Sequence, residues 1–179
     1  VMRVYHNTFL RETPVWRNYF LFGLGAQGMR QNERDVFNNI FVQTDLVPGV
    51  TIHGKQAATL REGGNLLWGT NEGPQFKGDL FGKFRSTPLF ELSRSVYSPG
   101  WTTQDRVADP GFVSLDDQRL LPDGHAVNAG QILPAEWPDP LKQADADQPD
   151  SGVLPAGAKP WAIGVNGRLS LFGGSKLAD

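Results

Sequence analysis

Three basic residues supply the groups needed to remove a proton next to a carboxylate. Arg30 and Arg34 lie in a polar segment beside a predicted strand, and His53 follows further along the chain. β-Elimination on an acidic sugar needs a cation that neutralises the carboxylate, since this makes the neighbouring proton more acidic, and a base that removes the proton. Arg30 or Arg34 with His53 can form this catalytic pair. The alternative is a solvated turn in which the arginines make local ion pairs.

Tryptophan content indicates a second kind of binding chemistry, because five tryptophans are many for 179 residues. Exposed aromatic rings stack on the apolar faces of sugars while nearby polar groups bond the hydroxyls. Trp16 lies in a long connection between predicted strands, where binding residues tend to collect, and Trp68 ends an apolar run. Both are candidate substrate-binding residues, whereas we expect Trp137 and Trp161 to pin the C-terminal segment to the fold.

Acidic residues suggest two further kinds of site. Asp116–Asp117 and Asp139 can act as paired carboxylates for glycoside hydrolysis if the fold sets a suitable separation. Asp145, Asp147 and Asp150 are the residue type that binds calcium, but they lie in a Pro-rich loop without the regular spacing of a calcium loop. The sequence therefore predicts no metal centre, and a calcium ion remains the alternative.

A glycine pattern raises the question of a nucleotide cofactor. Gly23, Gly25 and Gly28 have the spacing of a dinucleotide-binding loop and follow an apolar run. The segment after Gly28 is polar and has no amphipathic period, so no helix is predicted there to direct its dipole at a pyrophosphate. We interpret the glycines as turn residues and expect no cofactor.

A repeated phrase indicates the elements that must position these residues. Val4–Leu10 and Val36–Val42 both place an Asn at a bend between large apolar residues, and Gly63–Trp68 is a fainter copy. The bend asparagines are 32 and 26 residues apart, a period typical of solenoids. We expect them to form a structural ladder of hydrogen bonds, with ligand binding as the alternative. The three residues are Asn7, Asn39 and Asn65.

Composition favours short strands and many turns, and it excludes several protein classes. The chain has 21 Gly and 13 Pro, well above average usage, and a short helix is expected only near residues 87–95. A net charge of −2 without a basic face argues against nucleic-acid binding, and no apolar run is long enough to span a membrane. The absence of cysteine excludes disulfides and thiolate chemistry.

The combination of features resembles the right-handed parallel β-helix proteins of the pectin-lyase-like superfamily. The Asn-Asn-Ile-Phe phrase at 38–41 and its partner at 7–9 resemble the repeating phrase of their coils. The segment from Asp109 through Ala126–Gly130 to Asp150–Gly152 is similar to the pattern that closes their last coils. In such a fold the coils stack about 4.8 Å apart.

This resemblance implies an all-β solenoid in which residues 1–108 form coils with long loops and residues 109–179 form the last coil and a capping tail of the same domain. Inward columns would then place Phe9 on Phe41 and Tyr5 on Phe37. Because the chain begins directly in a strand-like run, we interpret it as the C-terminal part of a longer protein. The open coil end at Val1 is expected to be covered by another chain or by the upstream part.

The resemblance also implies a function. We expect part of a secreted or cell-surface protein that binds an acidic polysaccharide or cleaves it, as a polysaccharide lyase or glycoside hydrolase once the upstream part is present. The alternative is a non-enzymatic adhesin, spike or filament subunit that uses the β-helix as a rigid, stackable rod.

Overall fold

The computed structural model describes residues 1–11, 34–43, 60–69, 103–139, 145 and 148–159. Within these ranges the chain forms no helix, and all its named strands pair in parallel. The described residues are thus all-β, as the sequence predicts, and none of them belongs to a helix that could cross a membrane. The strands are β1 (Met2–Tyr5), β2 (Thr8–Arg11), β3 (Arg34–Phe37), β4 (Ile40–Gln43), β5 (Leu60–Gly63), β6 (Leu66–Gly69) and β7 (Arg106–Val107).

The strands form two parallel sheets, and each copy of the repeated phrase contributes one strand to each sheet. Sheet A has the order β1-β3-β5, and sheet B has the order β2-β4-β6-β7. In sheet A, Tyr5 pairs with Phe37 and Phe37 with Gly63. The pairing register therefore repeats the 32- and 26-residue spacing of the sequence phrase.

A two-residue bend takes the chain from sheet A to sheet B in each copy. The first residue of the bend has a left-handed backbone, with φ of 50° at His6, 56° at Asn38 and 69° at Gly64. Asn and His adopt this region more readily than most residues, and Gly adopts it without strain. At Gly64 a side chain is also excluded by space, because a Cβ would collide with Asn38 Oδ1.

The aromatic residues pair only partly as expected. The rings of Phe9 and Phe41 stack with centroids 4.9 Å apart and planes 7° apart. Phe9 is nevertheless 44% exposed, so the expected inward position is not met at this residue. Tyr5 and Phe37 are neighbours in register, and the buried Trp137 contacts both rings, at 5.2 and 6.0 Å between centroids.

Sheet B packs against the C-terminal segment, the part of the chain from residue 109 onward, to form the core. Buried Ile40, Val42 and Leu66 cluster with Leu120 and Ala126 of that segment. Burial of these apolar side chains is the main source of stability available to such short strands.

Hydrogen bonds to backbone carbonyls of the bends also connect the C-terminal segment to them. Gly152 donates to the Asn38 carbonyl at 2.8 Å, and Ser151 Oγ donates to the Gly64 carbonyl at 2.7 Å. Gly152 has a φ of 99°, and a Cβ there would collide with Ile40. The apolar run before Gly23 and the helix expected near 87–95 lie outside the described residues.

Candidate functional site

Three of the five residues predicted for catalysis or sugar binding fall outside the described ranges. These three are Arg30, His53 and Trp16, whereas Arg34 opens β3 with only its backbone described. Trp68 lies in β6, where it is half-buried and packs against the core cluster. The elimination pair of arginine and histidine therefore remains a prediction, and Trp68 contributes to packing.

The three bend asparagines form a column of hydrogen bonds. Asn39 Oδ1 accepts from the backbone N and from Nδ2 of Asn7, both at 3.1 Å. Asn65 Oδ1 accepts from the same two groups of Asn39, both at 3.0 Å. The remaining amide hydrogens reach the carbonyls of Tyr5, Val4 and Val36. Every buried amide of the column is thereby paired, which a buried Asn requires.

A fourth residue, Asp105, continues the column and was not predicted. Its Oδ1 accepts from the backbone N of Asn65 at 2.8 Å and from Asn65 Nδ2 at 3.0 Å. The sequence pattern that could have identified Asp105 is a polar residue with an apolar residue, Val107, two positions later, as in the other copies. It was missed because Asp stands where the other copies have Asn. We call Asn7, Asn39, Asn65 and Asp105 the amide column.

A second column of side chains crosses sheet A, and each of its members lies four residues before a bend asparagine. Arg3, Asp35 and Arg61 are neighbours in the register of the sheet. Asp35 is fully buried. Arg61 binds it through two hydrogen bonds, Nε to Oδ1 at 2.7 Å and Nη2 to Oδ2 at 3.0 Å, and Arg3 Nε lies 3.5 Å from Oδ2. The arginine side chains are 42% and 54% exposed. This charged column presents one net positive charge at the surface.

The C-terminal segment places aromatic groups beside the charged column. The Arg3 guanidinium lies 4.8 Å from the centre of the Trp137 ring, close enough for a cation–π interaction. Tyr5 packs on the same ring and donates its hydroxyl to the Pro138 carbonyl at 2.6 Å. Burial, with a further contribution from the Asp139 charge, raises the pKa of Tyr5. Tyr5 is therefore a neutral hydrogen-bond donor here rather than a base.

His6 lies at the first bend with a fixed hydrogen-bonding role. Its Nε2 is 3.0 Å from Asn38 Nδ2. The orientation of the Asn38 amide is set by Gln131, whose backbone carbonyl accepts from Nδ2 at 2.8 Å and whose backbone N donates to Oδ1 at 2.7 Å. Because Nδ2 is a donor, Nε2 of His6 accepts, and the neutral ring carries its proton on Nδ1.

The surroundings of His6 favour its neutral form. Burial lowers the pKa of His6, and this outweighs the opposing effects of Asp139, Asp145, Asp150 and the Gly152 backbone. The nearest carboxylate oxygen belongs to Asp139, 3.7 Å from Nε2. The basic nitrogen is thus already engaged by Asn38, which makes His6 a structural acceptor in this arrangement.

The predicted carboxylate sites separate into different regions. Asp117 is bound by Arg119 Nε at 2.8 Å on an exposed loop, and this hydrogen bond lowers the pKa of Asp117. Asp139 lies beside His6 instead. Asp150 is buried and accepts from two backbone N–H groups, at 2.7 and 2.6 Å, while Asp145 accepts from the Asp150 backbone. No group of three metal-ligating side chains converges within the part of the chain that the structure describes.

Comparison with other proteins adds no family to this description. No protein-family model matches the chain, and neither a curated protein nor a solved structure matches it at a significant level.

Proposed function

We propose that the chain is the closing part of a right-handed parallel β-helix in a secreted or cell-surface protein that binds an acidic polysaccharide. The single observation that carries the binding proposal is the charged column, in which buried Asp35 holds two half-exposed guanidiniums at the surface of sheet A.

The β-helix part of the proposal rests on the pairing pattern. Corresponding strands of successive copies pair in parallel in two sheets, and an amide column joins the bends. Parallel strands joined by crossover connections are right-handed in nearly all known cases. A chain that continued this pattern through its connections would wind as a right-handed solenoid.

The polysaccharide part rests on the chemistry of arginine. A guanidinium binds carboxylates and other planar anions through directed N–H groups, and it keeps its charge at all accessible pH values. Arg3 and Arg61 stand two strands apart, roughly 10 Å by strand spacing, and Asp35 limits their rotation. A polymer with repeated carboxylates can place one carboxylate at each arginine and so bind both at once.

Cleavage is a further part of the proposal, and it is assigned to His53 with Arg30, which lie outside the described ranges, or to His53 with Arg34 of β3. Elimination by Arg30 or Arg34 with His53 would require a base next to a cation. His6 of the described residues does not supply that base, because its Nε2 already accepts from Asn38. The amide column favours the rod alternative, because a stack of hydrogen-bonded bends stiffens the chain. A rod with no ligand would not require the exposed arginines.

Binding can be tested by affinity electrophoresis of the full chain in gels that contain polygalacturonate or alginate, with neutral dextran as the reference polymer. We expect retardation in the acidic gels only, weakened by added salt. Arg3→Gln and Arg61→Gln should each weaken binding about threefold. Arg119→Gln, which changes an exposed arginine of a separate loop, is the matched control and should leave retardation unchanged.

The same samples separate the alternatives. Ultraviolet absorbance from an unsaturated product would add lyase activity to binding. Equal migration in acidic and neutral gels would contradict polysaccharide binding and favour the rod.

A further inference from the structure

The amide column has a direction. Each Asn donates through its backbone N and Nδ2 to the Oδ1 of the next member, in the order Asn7, Asn39, Asn65 and Asp105. An Asn side chain can both donate and accept, whereas the Asp105 carboxylate can only accept. The column therefore ends at Asp105, whose Oδ2 is buried and has no hydrogen-bond partner among the described residues.

The other end of the column is chemically open. Asn7 Oδ1 accepts no hydrogen bond from a described residue, although the same atom of Asn39 and of Asn65 accepts two. Among the described strands, β1 and β2 each have a neighbour on one side only. The side chains two positions after each bend Asn also indicate an open end on this side. Phe9, which follows Asn7, is 44% exposed, whereas Leu67, which follows Asn65, is fully buried.

We propose that the outer edge of β1 and β2 is a docking site for one further polypeptide segment that carries the phrase Asn-x-apolar. The backbone of this segment would pair in parallel with β1 and β2. Its Asn would donate N–H and Nδ2 to Asn7 Oδ1, and the apolar side chain two positions later would cover the exposed face of Phe9. The phrase already occurs at 7–9, 39–41 and 65–67.

This requirement excludes the Asp105 end of a second copy as the occupant. Its carboxylate would face Asn7 Oδ1 with no hydrogen to share, and two opposed acceptors repel each other. The chain therefore does not extend itself head to tail through this column. The inference concerns the strand edge and stands independently of polysaccharide binding.

The test uses the full chain and a fluorescently labelled peptide with the sequence of Arg34–Gln43. Fluorescence anisotropy compares this peptide with one in which the residue corresponding to Asn39 is Asp. We expect the Asn peptide to bind and the Asp peptide to bind at least about tenfold more weakly, because it offers one acceptor in place of the Nδ2 donor. Equal binding of the two peptides, or binding of neither, overturns the proposal.

Two variants of the protein locate the site. Asn7→Ala removes the acceptor and should abolish the difference between the two peptides, whereas Asp105→Asn changes the far end of the column and should leave it intact. If Asn7→Ala does not fold, the comparison of peptides on the unchanged protein still decides the question. Head-to-tail dimers of the unchanged chain in sedimentation velocity, lost in Asn7→Ala, would also overturn the proposal.

Discussion

Two columns of side chains cross the same strands in the same register, and they differ in chemistry. The amide column at the bends repeats Asn until it ends at Asp105, and its inner members Asn39 and Asn65 are fully buried. The charged column in sheet A alternates Arg3, Asp35 and Arg61, and both of its outer members are about half exposed. The repeat thus places a buried scaffold and a partly exposed charged surface only four residues apart in sequence.

The two columns differ because an amide can bond to an identical neighbour, whereas a charged group is repelled by one. An amide carries both donor and acceptor, so identical residues one strand apart can bond in series. Like charges one strand apart repel, so a charged column must alternate its sign. An alternating column with three members therefore carries one charge in excess.

Among the substitutions that test the difference between the two columns, Asn39→Asp is expected to have the largest effect on stability. Asn39→Asp keeps the shape of the side chain but removes both Nδ2 hydrogen bonds. The Val4 carbonyl then loses this donor, and Oδ1 of Asn65 lies opposite a carboxylate. We expect the free energy of unfolding to fall by about 3 kcal/mol. Urea denaturation followed by circular dichroism measures it.

Asn7→Ala is the matched control for this variant. Asn7 stands at the open end of the column, where no described residue donates to its Oδ1. It should cost less than half as much as the change at Asn39. Equal losses would show that the column does not act as a directed series.

The sequence predicted the amide column because three copies of the phrase carry recognisable bend residues. The same alignment, extended four residues toward the N-terminus, pairs Arg3 with Asp35 and Asp35 with Arg61, so the charged column was also within reach of the sequence. Asp105 was hidden by the change from Asn to Asp. These positions were predictable because parallel pairing carries a sequence period directly into space.

The contacts made by the C-terminal segment were beyond prediction in detail. Trp137 was expected to pin this segment, but its place against Arg3 and Tyr5 depends on contacts more than 130 residues apart. The position of Asp139 beside His6 has the same origin. No period links this segment to the strands, so its path is decided by the shape and charge of the surface it covers.

A smaller effect is expected from breaking the charged column at its centre. Asp35→Asn leaves two guanidiniums next to a neutral amide that is itself fully buried. A fully buried ion pair broken in this way costs several kcal/mol, but solvent screens the half-exposed arginines, so we expect about 1–2 kcal/mol. Urea denaturation at low and at high salt should show the larger loss at low salt. Asp117→Asn, in an exposed pair with Arg119, should change nothing measurable, and an equal change there would remove the distinction between the two pairs.

The smallest expected effect concerns the pH dependence of stability and depends on His6. Because burial lowers the pKa of His6 from 6.5, the unfolded chain takes up a proton at a higher pH than the folded chain. The contribution of His6 to stability is therefore complete above about pH 6.5 and is lost as the pH falls through the folded value. Protonation also ends the bond with Asn38, since both nitrogens would then donate.

His6→Asn isolates this contribution, because Asn38 already occupies the equivalent bend position with a left-handed backbone. Thermal unfolding between about pH 5 and pH 7 should show a weaker loss of stability on acidification in the variant than in the unchanged chain. Asp145, whose pKa is raised mainly by burial, acts in the opposite direction, since its contribution is present below pH 3.8 and is lost as the pH rises. Both proteins retain Asp145, so their difference reports His6. If His6→Asn kept the full dependence on pH, burial of the bend histidine would make no contribution to it, and the buried chemistry of the bends would be confined to the amide column.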